Sequence, residues 1–160
     1  MAWYVKFDGV NGSSSKRNHI HWTNAVSINI GGHKAGGGGT GVGRVGGKMH
    51  LEDVSIGILN DIGTPKLLEA AVKGKVFKKV EIHGTATYGD AGEQVYLKVE
   101  LENVQITSYQ LGVLDNNAAT DDLWLSLNFE KYKTTFTEYG KDGTQGGNVE
   151  FEWKVEEGES

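Results

Sequence analysis

The sequence has no cysteine and a single proline in 160 residues, and the missing cysteine excludes most of the chemistry. Without it there is no disulfide framework, no thiol nucleophile and no thiolate metal site, although the redox compartment stays open. No apolar run approaches the roughly 20 residues that span a bilayer, so no membrane insertion is expected. Positive charge is also short: 16 Lys and Arg stand against 21 Asp and Glu, a formal net charge of -5. A nucleic-acid partner needs a clustered basic face. The densest basic group, Lys73, Lys75, Lys78 and Lys79, reads instead as a solvated helix end and strand start. The first residues, Met1–Val10, lack a basic start, an apolar block and a cleavage site, so export without a cleaved signal peptide is expected.

What the chain has in excess is glycine, 24 residues, ten of them between Gly31 and Gly47. The length suits one domain, residues 1–160, with a core large enough to stand without disulfides or metals. The stretch GGHKAGGGGTGVGRVGG at 31–47 is then an extension loop of that domain. Ordering a backbone unit costs about 1–2 kcal/mol and glycine loses the most freedom. Such a loop is either a floppy surface excursion or an arm that orders against another chain.

Period-two alternation dominates and predicts strands with one buried face. Trp3, Val5 and Phe7 form one set; Val80, Ile82, Gly84, Ala86 and Tyr88 another; Val149, Phe151, Trp153 and Val155 a third. From Ile20 to Ile30 the apolar phase runs through Ile20, Trp22, Val26, Ile28 and Ile30, with Thr23, Ala25, Ser27 and Asn29 opposite. Three longer segments slip phase midway, which predicts bulges or bends near Glu52–Asp53, Glu102–Asn103 and Glu130–Lys131. Long bent strands suit a curled two-sheet β-barrel of about eight strands. One short flanking α-helix is expected, with Thr64 as N-cap, Pro65 in the first turn and Gly74 closing it. Leu67, Leu68, Ala71 and Val72 share its buried face, and Glu69 and Lys73 pair across a turn.

Catalytic and binding motifs are scarce. Gly41, Gly43 and Gly46 spell G-x-G-x-x-G, but a strand pattern follows where a phosphate site needs a helix N-terminus. His19 and His21 are two apart and read as polar residues on one face of a strand; with His33 they lack the further ligands of a metal site. Carboxylate pairs such as Glu52–Asp53 and Asp121–Asp122 lie at bends, where neighbours point apart. No nucleophile constellation is present, so no enzyme, cofactor or metal is expected. Among binding modules, a monomeric carbohydrate-binding β-sandwich would use the off-phase aromatics Tyr4, Tyr96 and Trp124, which suit a subunit interface equally well.

Taken in order, the motifs resemble the Hcp family of type VI secretion tube proteins. The turn DGVNGSS at Asp8–Ser14 is followed by H-x-x-W at His19–Trp22 and a strand ending SINIGG at Ser27–Gly32. KMHLEDVSIGIL at Lys48–Leu59 comes next. The most specific part is DIGTPKLLEAAVKGKVF, whose Asp61, Pro65, Leu67, Ala70, Gly74 and Phe77 match the family's helix motif. LENVQITSYQ at Leu101–Gln110 and the closing FEKYKTTF and FEWKV complete the set. The pattern departs at Ser13, where an acidic residue is common, and at Asn29 and Ile30, where a serine and an aromatic are frequent; the last two bear on cargo preference.

The resemblance implies a homo-hexameric ring that stacks head to tail into a tube inside a contractile sheath. The tube leaves with a VgrG-type spike from a baseplate, and small protein effectors ride in its lumen. It further implies a bacterial cytoplasmic protein that is secreted or delivered into a target cell on firing. Gly31, Gly32, Gly36, Gly37, Gly38, Gly39, Arg44 and Lys48 are the expected ring-interface residues, and Thr23, Ala25, Ser27 and Asn29 the expected lumen-facing ones. A related phage-like tail tube protein fits the same features.

Overall fold

The computed structural model describes residues 2–34, 49–112 and 122–155. Gly36, Gly37, Gly38, Gly39, Arg44, Lys48, the G-x-G-x-x-G glycines and Asp121 lie outside them. The described elements run β1 (Ala2–Phe7), β2 (Thr23–Asn29), β3 (Gly32–Lys34), β4 (Met49–Leu51), β5 (Val54–Leu59), α1 (Thr64–Lys73), β6 (Val76–Thr87), β7 (Glu93–Gly112), β8 (Asp122–Asn128), β9 (Lys131–Tyr139) and β10 (Gln145–Lys154). One antiparallel sheet has the order β10-β9-β7-β6-β1-β2-β5-β8, and β8 also pairs with β7, which closes six strands into a barrel. β9 and β10 extend from it as a two-stranded wing. The expected curled barrel with a flanking helix is the observed architecture.

Closure depends on the bends that the phase slips predict. β7 pairs along Leu97–Glu102 with β9 and along Gln105–Gly112 with β8. Both partners therefore lie in series on its edge away from β6, and the handover falls at Asn103, whose φ of 52° is left-handed. The matching bend between β8 and β9 is stapled to it: Glu130 N–H donates to Glu102 O at 3.0 Å, and Asn103 Nδ2 donates to Glu130 Oε2 at 2.7 Å. At Glu52–Asp53 the chain leaves β4, which pairs only with β3, and enters the barrel as β5.

Inside, Val5, Phe7, Ile56, Ile82, Val99, Leu101, Val104 and Leu127 form one continuous core. Each fully buried aliphatic side chain contributes about 1.5–3 kcal/mol. α1 supplies Leu67 and Ala70 to that core, with Leu68 and Ala71 at its margin, while Val72 is exposed instead of buried. Its N-cap is Gly63, not Thr64. The Thr64 hydroxyl accepts from Asp61 N–H in the preceding turn, which draws it one place into the helix. Gly74 closes α1 in the left-handed conformation, φ 70°, and Lys73 meets Glu69 at 2.9 Å.

β2 departs from the expected phase. Its register on β5 slips between Ala25 and Ser27, leaving Val26 as the extra residue of a bulge. Ahead of the bulge Thr23 and Ala25 lie on the inward face, in register with Val5 and Ile58; beyond it Ile28 is inward and Ser27 and Asn29 turn outward. Ile20 is exposed and precedes the strand altogether.

Candidate assembly and lumen surfaces

The outward side of β6, the first half of β7, β9 and β10 carries a lattice of charge. Strand register sets three rows: Glu150–Thr135–Lys98–His83, Glu152–Lys133–Glu100–Glu81 and Lys154–Lys131–Glu102–Lys79. Lys79 bridges Glu81 and Glu100 at 3.3 and 3.2 Å, and Lys131 bridges Glu152 and Glu102 at 2.9 and 3.9 Å. Hydrogen bonding to Lys131 holds the Glu152 carboxyl below its usual range.

On the outward side of β2, β5, β8 and the second half of β7 the rows are Asn29–Ser55–Ser126–Ser108 and Ser27–Gly57–Trp124–Gln110. None of these eight side chains ionises. Trp124 lies flat over Gly57, where an added Cβ would come within 2.7 Å of its ring. At one end of this face Asp53 accepts from Thr107 Oγ1 at 2.7 Å and from Asn128 Nδ2 at 3.0 Å, so its carboxylate is held to one side. Of the four expected lumen residues, Ser27 and Asn29 belong to this face. Thr23, 3% exposed, and Ala25, packed on the core, turn into the barrel ahead of the bulge.

The inward side of the wing is apolar and lies bare. Val149 pairs with Phe136, Phe151 with Thr134 and Trp153 with Tyr132; Val149, Phe151 and Phe136 are 73%, 51% and 48% exposed. Thr134 Oγ1 is buried beneath them with no hydrogen-bond partner. β10 is the sheet's edge, and at the far end of β7 Tyr109 and Leu111 are half exposed. Of the expected interface residues, the described ones are Gly31 and Gly32. Gly31 O accepts from Glu52 N–H at 2.9 Å and Gly32 pairs with Leu51, so both root the glycine segment in the small β3–β4 ribbon.

A buried aromatic cluster was not visible in the sequence. His19 is 3% exposed, stacked on Tyr4 with centroids 4.3 Å apart, edge-on to Trp22, and its Nε2 meets His83 Nδ1 at 2.9 Å. Tyr4 O–H donates to Glu93 at 3.2 Å, and burial, followed by the charge of Glu93, raises its pKa. Desolvation, followed by the charge of His83, lowers the pKa of His19. His83 Nε2 faces Glu81 Oε2 at 3.5 Å, long for a hydrogen bond but close enough for charge, and the Glu81 carboxyl is held at about 2. The strand expected to carry His19 and His21 is a turn, since β2 starts at Thr23 and His21 has a φ of 67°. Only His19 is buried, because the turn folds it back onto β1. The same packing removes Tyr4 from any glycan-binding face. Among the described residues no group of three or more His, Cys, Asp or Glu is placed to hold a metal, and no helix is long and apolar enough to cross a membrane.

The closed barrel with a lateral wing is the fold of type VI secretion tube proteins. A structure described as a type six secretion system protein matches with a TM-score of 0.88 at 20% identity, covering 99% of this chain and 98% of the other. Hcp1 from Salmonella typhimurium matches at 0.79 and 15% identity over 99% and 97%, and a type VI secretion system effector from Yersinia pestis at 0.75 and 18% over 96% and 99%. Among curated proteins no sequence matches. Residues 4–136 match the family described as type VI secretion system effector, Hcp, and the chain belongs to that family. Hcp is a structural, secreted tube family of the type VI system.

Proposed function

We propose that this chain is a non-enzymatic subunit of the type VI inner tube, six copies closing a ring and rings stacking head to tail. The observation that carries the reading is the wing: an apolar sheet face continuous with the core, bare in the monomer, beside an open edge strand. Such an edge invites pairing and aggregation unless another chain covers it. Tyr109 and Leu111 at the other end of β7 offer an apolar counterpart, and a contact between two different patches closes into a ring or runs on as a filament.

In this assembly the neutral face of Ser27, Asn29, Ser55, Ser108 and Ser126 lines the lumen, where small uncharged side chains accept varied protein effectors. The arm rooted at Gly31 and Gly32 carries Gly36–Gly39, Arg44 and Lys48 to the adjacent ring. Sheath, baseplate and spike are the remaining partners, and the chain resides in the bacterial cytoplasm until firing. Light scattering and negative-stain microscopy of the purified protein test the proposal. Six-fold rings of about six times the 17.3 kDa chain mass are expected, and a uniform monomer at micromolar concentration overturns it.

A further inference from the structure

The connection between β1 and β2, residues 8–22, lies across the outward face of the barrel and is tied down along its length. At its first half Ser13 N–H donates to Asp61 Oδ2 at 2.9 Å, and Ile62 N–H donates to Ser13 Oγ at 3.1 Å. At its second half the side-chain ties are Lys6 Nζ of β1, which donates to His21 O at 3.3 Å, and the imidazole pair of His19, on the connection, and His83, on β6. Around that pair the titratable and charged groups are Tyr4 on β1, Glu81 on β6, Glu93 and Lys98 on β7, and Lys16 and Arg17 on the connection; Glu100, Lys133 and Glu150 line the same groove farther out.

The geometry fixes the protons. A 2.9 Å contact between two imidazole nitrogens needs one donor and one acceptor. His83 Nε2 is also buried without a hydrogen-bond partner, but the Glu81 carboxylate 3.5 Å away favours the hydrogen there, leaving His83 Nδ1 to accept and His19 Nε2 to donate. His19 Nδ1 is then a bare lone pair, buried with no partner. A proton added at that nitrogen puts a charge in a desolvated pocket with no acceptor. A proton added at His83 Nδ1 sets two N–H groups against each other. Two charged imidazoles at this distance repel, so the closed pair does not hold both. Once exposed to water, the His19 ring regains the ordinary imidazole range.

We propose that His19 and His83 form a proton-operated clasp, closed at neutral pH and opened by mild acid, that frees the second half of the connection while the barrel stays folded. His19 has its folded-state pKa lowered by burial. The clasp's stabilisation is therefore complete above about pH 6.5 and is lost as the pH falls through His19's lower, folded value. Each proton gained on opening shifts the equilibrium by about tenfold per pH unit in that window. The clasp does not depend on ring or tube assembly. Opening it uncovers Tyr4 and the groove of about 870 Å³ between residues 16–19 and the outward face of β9.

Hydrogen exchange from pH 7.5 to 5.0, corrected for intrinsic rates, reads the clasp directly. The amides of Ser14, His21 and Trp22, which bond within the connection, are expected to lose at least about tenfold protection while Ile82 and Leu101 keep theirs. His19→Gln, which can still donate to His83 Nδ1 but takes no proton, is expected to abolish the pH dependence. Constant protection of 14–22 in the wild type overturns the proposal, and so does a His19→Gln protein as acid-sensitive as the wild type. Should that variant fold poorly, imidazole NMR of the wild type decides instead. His19 must titrate below 6.5 in step with the loss of protection, and a normal or raised value overturns the clasp.

Discussion

On the outward side of β6, β7, β9 and β10 every position in three strand-register rows except Thr135 is ionisable, whereas on the outward side of β2, β5, β8 and the far half of β7 the next row, Leu59–Asp122–Gly112, adds only Asp122 to the eight uncharged positions. Both faces cover the same core, so the core does not dictate the difference. The inward residues specify the barrel, and the outward positions are free to specify what it meets. Ion pairs as exposed as those of the lattice contribute little to stability. The charged face keeps a broad sheet soluble and discourages edge pairing, whereas the neutral face is the one on which another surface can lie without leaving charges desolvated.

The two faces meet where β7 changes partner, so breaking the bend gives the largest expected effect. Asn103→Val places a β-branched residue at a left-handed φ and removes the bond to Glu130, for an expected loss of about 2–3 kcal/mol by denaturant unfolding. Asn103→Gly keeps the conformation and should lose only about 1 kcal/mol. Equal losses would show that the staple, not the turn, holds the bend. On the charged face Lys79→Ala removes two ion pairs, yet these groups are 29–43% exposed. The expected loss is below about 1 kcal/mol and vanishes in molar salt. A larger, salt-independent loss would give the lattice a structural role that the comparison denies it. The smallest effect on folding belongs to the neutral face: Asn29→Lys should change stability by no more than about 0.5 kcal/mol. Effector co-purifying with rings should nevertheless fall sharply; unchanged retention would sink the lumen assignment.

The sequence made the barrel legible through phase slips, since a strand cannot turn its apolar side over without a bend. Three slips stand at three breaks or bends. It misled at β2, where a bulge at Val26 imitates continuous alternation and places Thr23 and Ala25 on the wrong side. His19–His83 was invisible for another reason: the partners are 64 positions apart and no local pattern joins them. Tyr4 looked like an exposed off-phase aromatic because the connection that covers it has no periodicity. The wing was legible as alternation, but its bareness was not, because burial depends on what lies opposite.

The wing is held at both ends. Its ladder to the barrel runs only along Leu97–Glu102; the staple at Asn103 and Glu130 marks one end, and at the other Tyr139 packs on Tyr88 with ring centroids 5.0 Å apart. The two anchors together hold its apolar face at a set angle to the barrel.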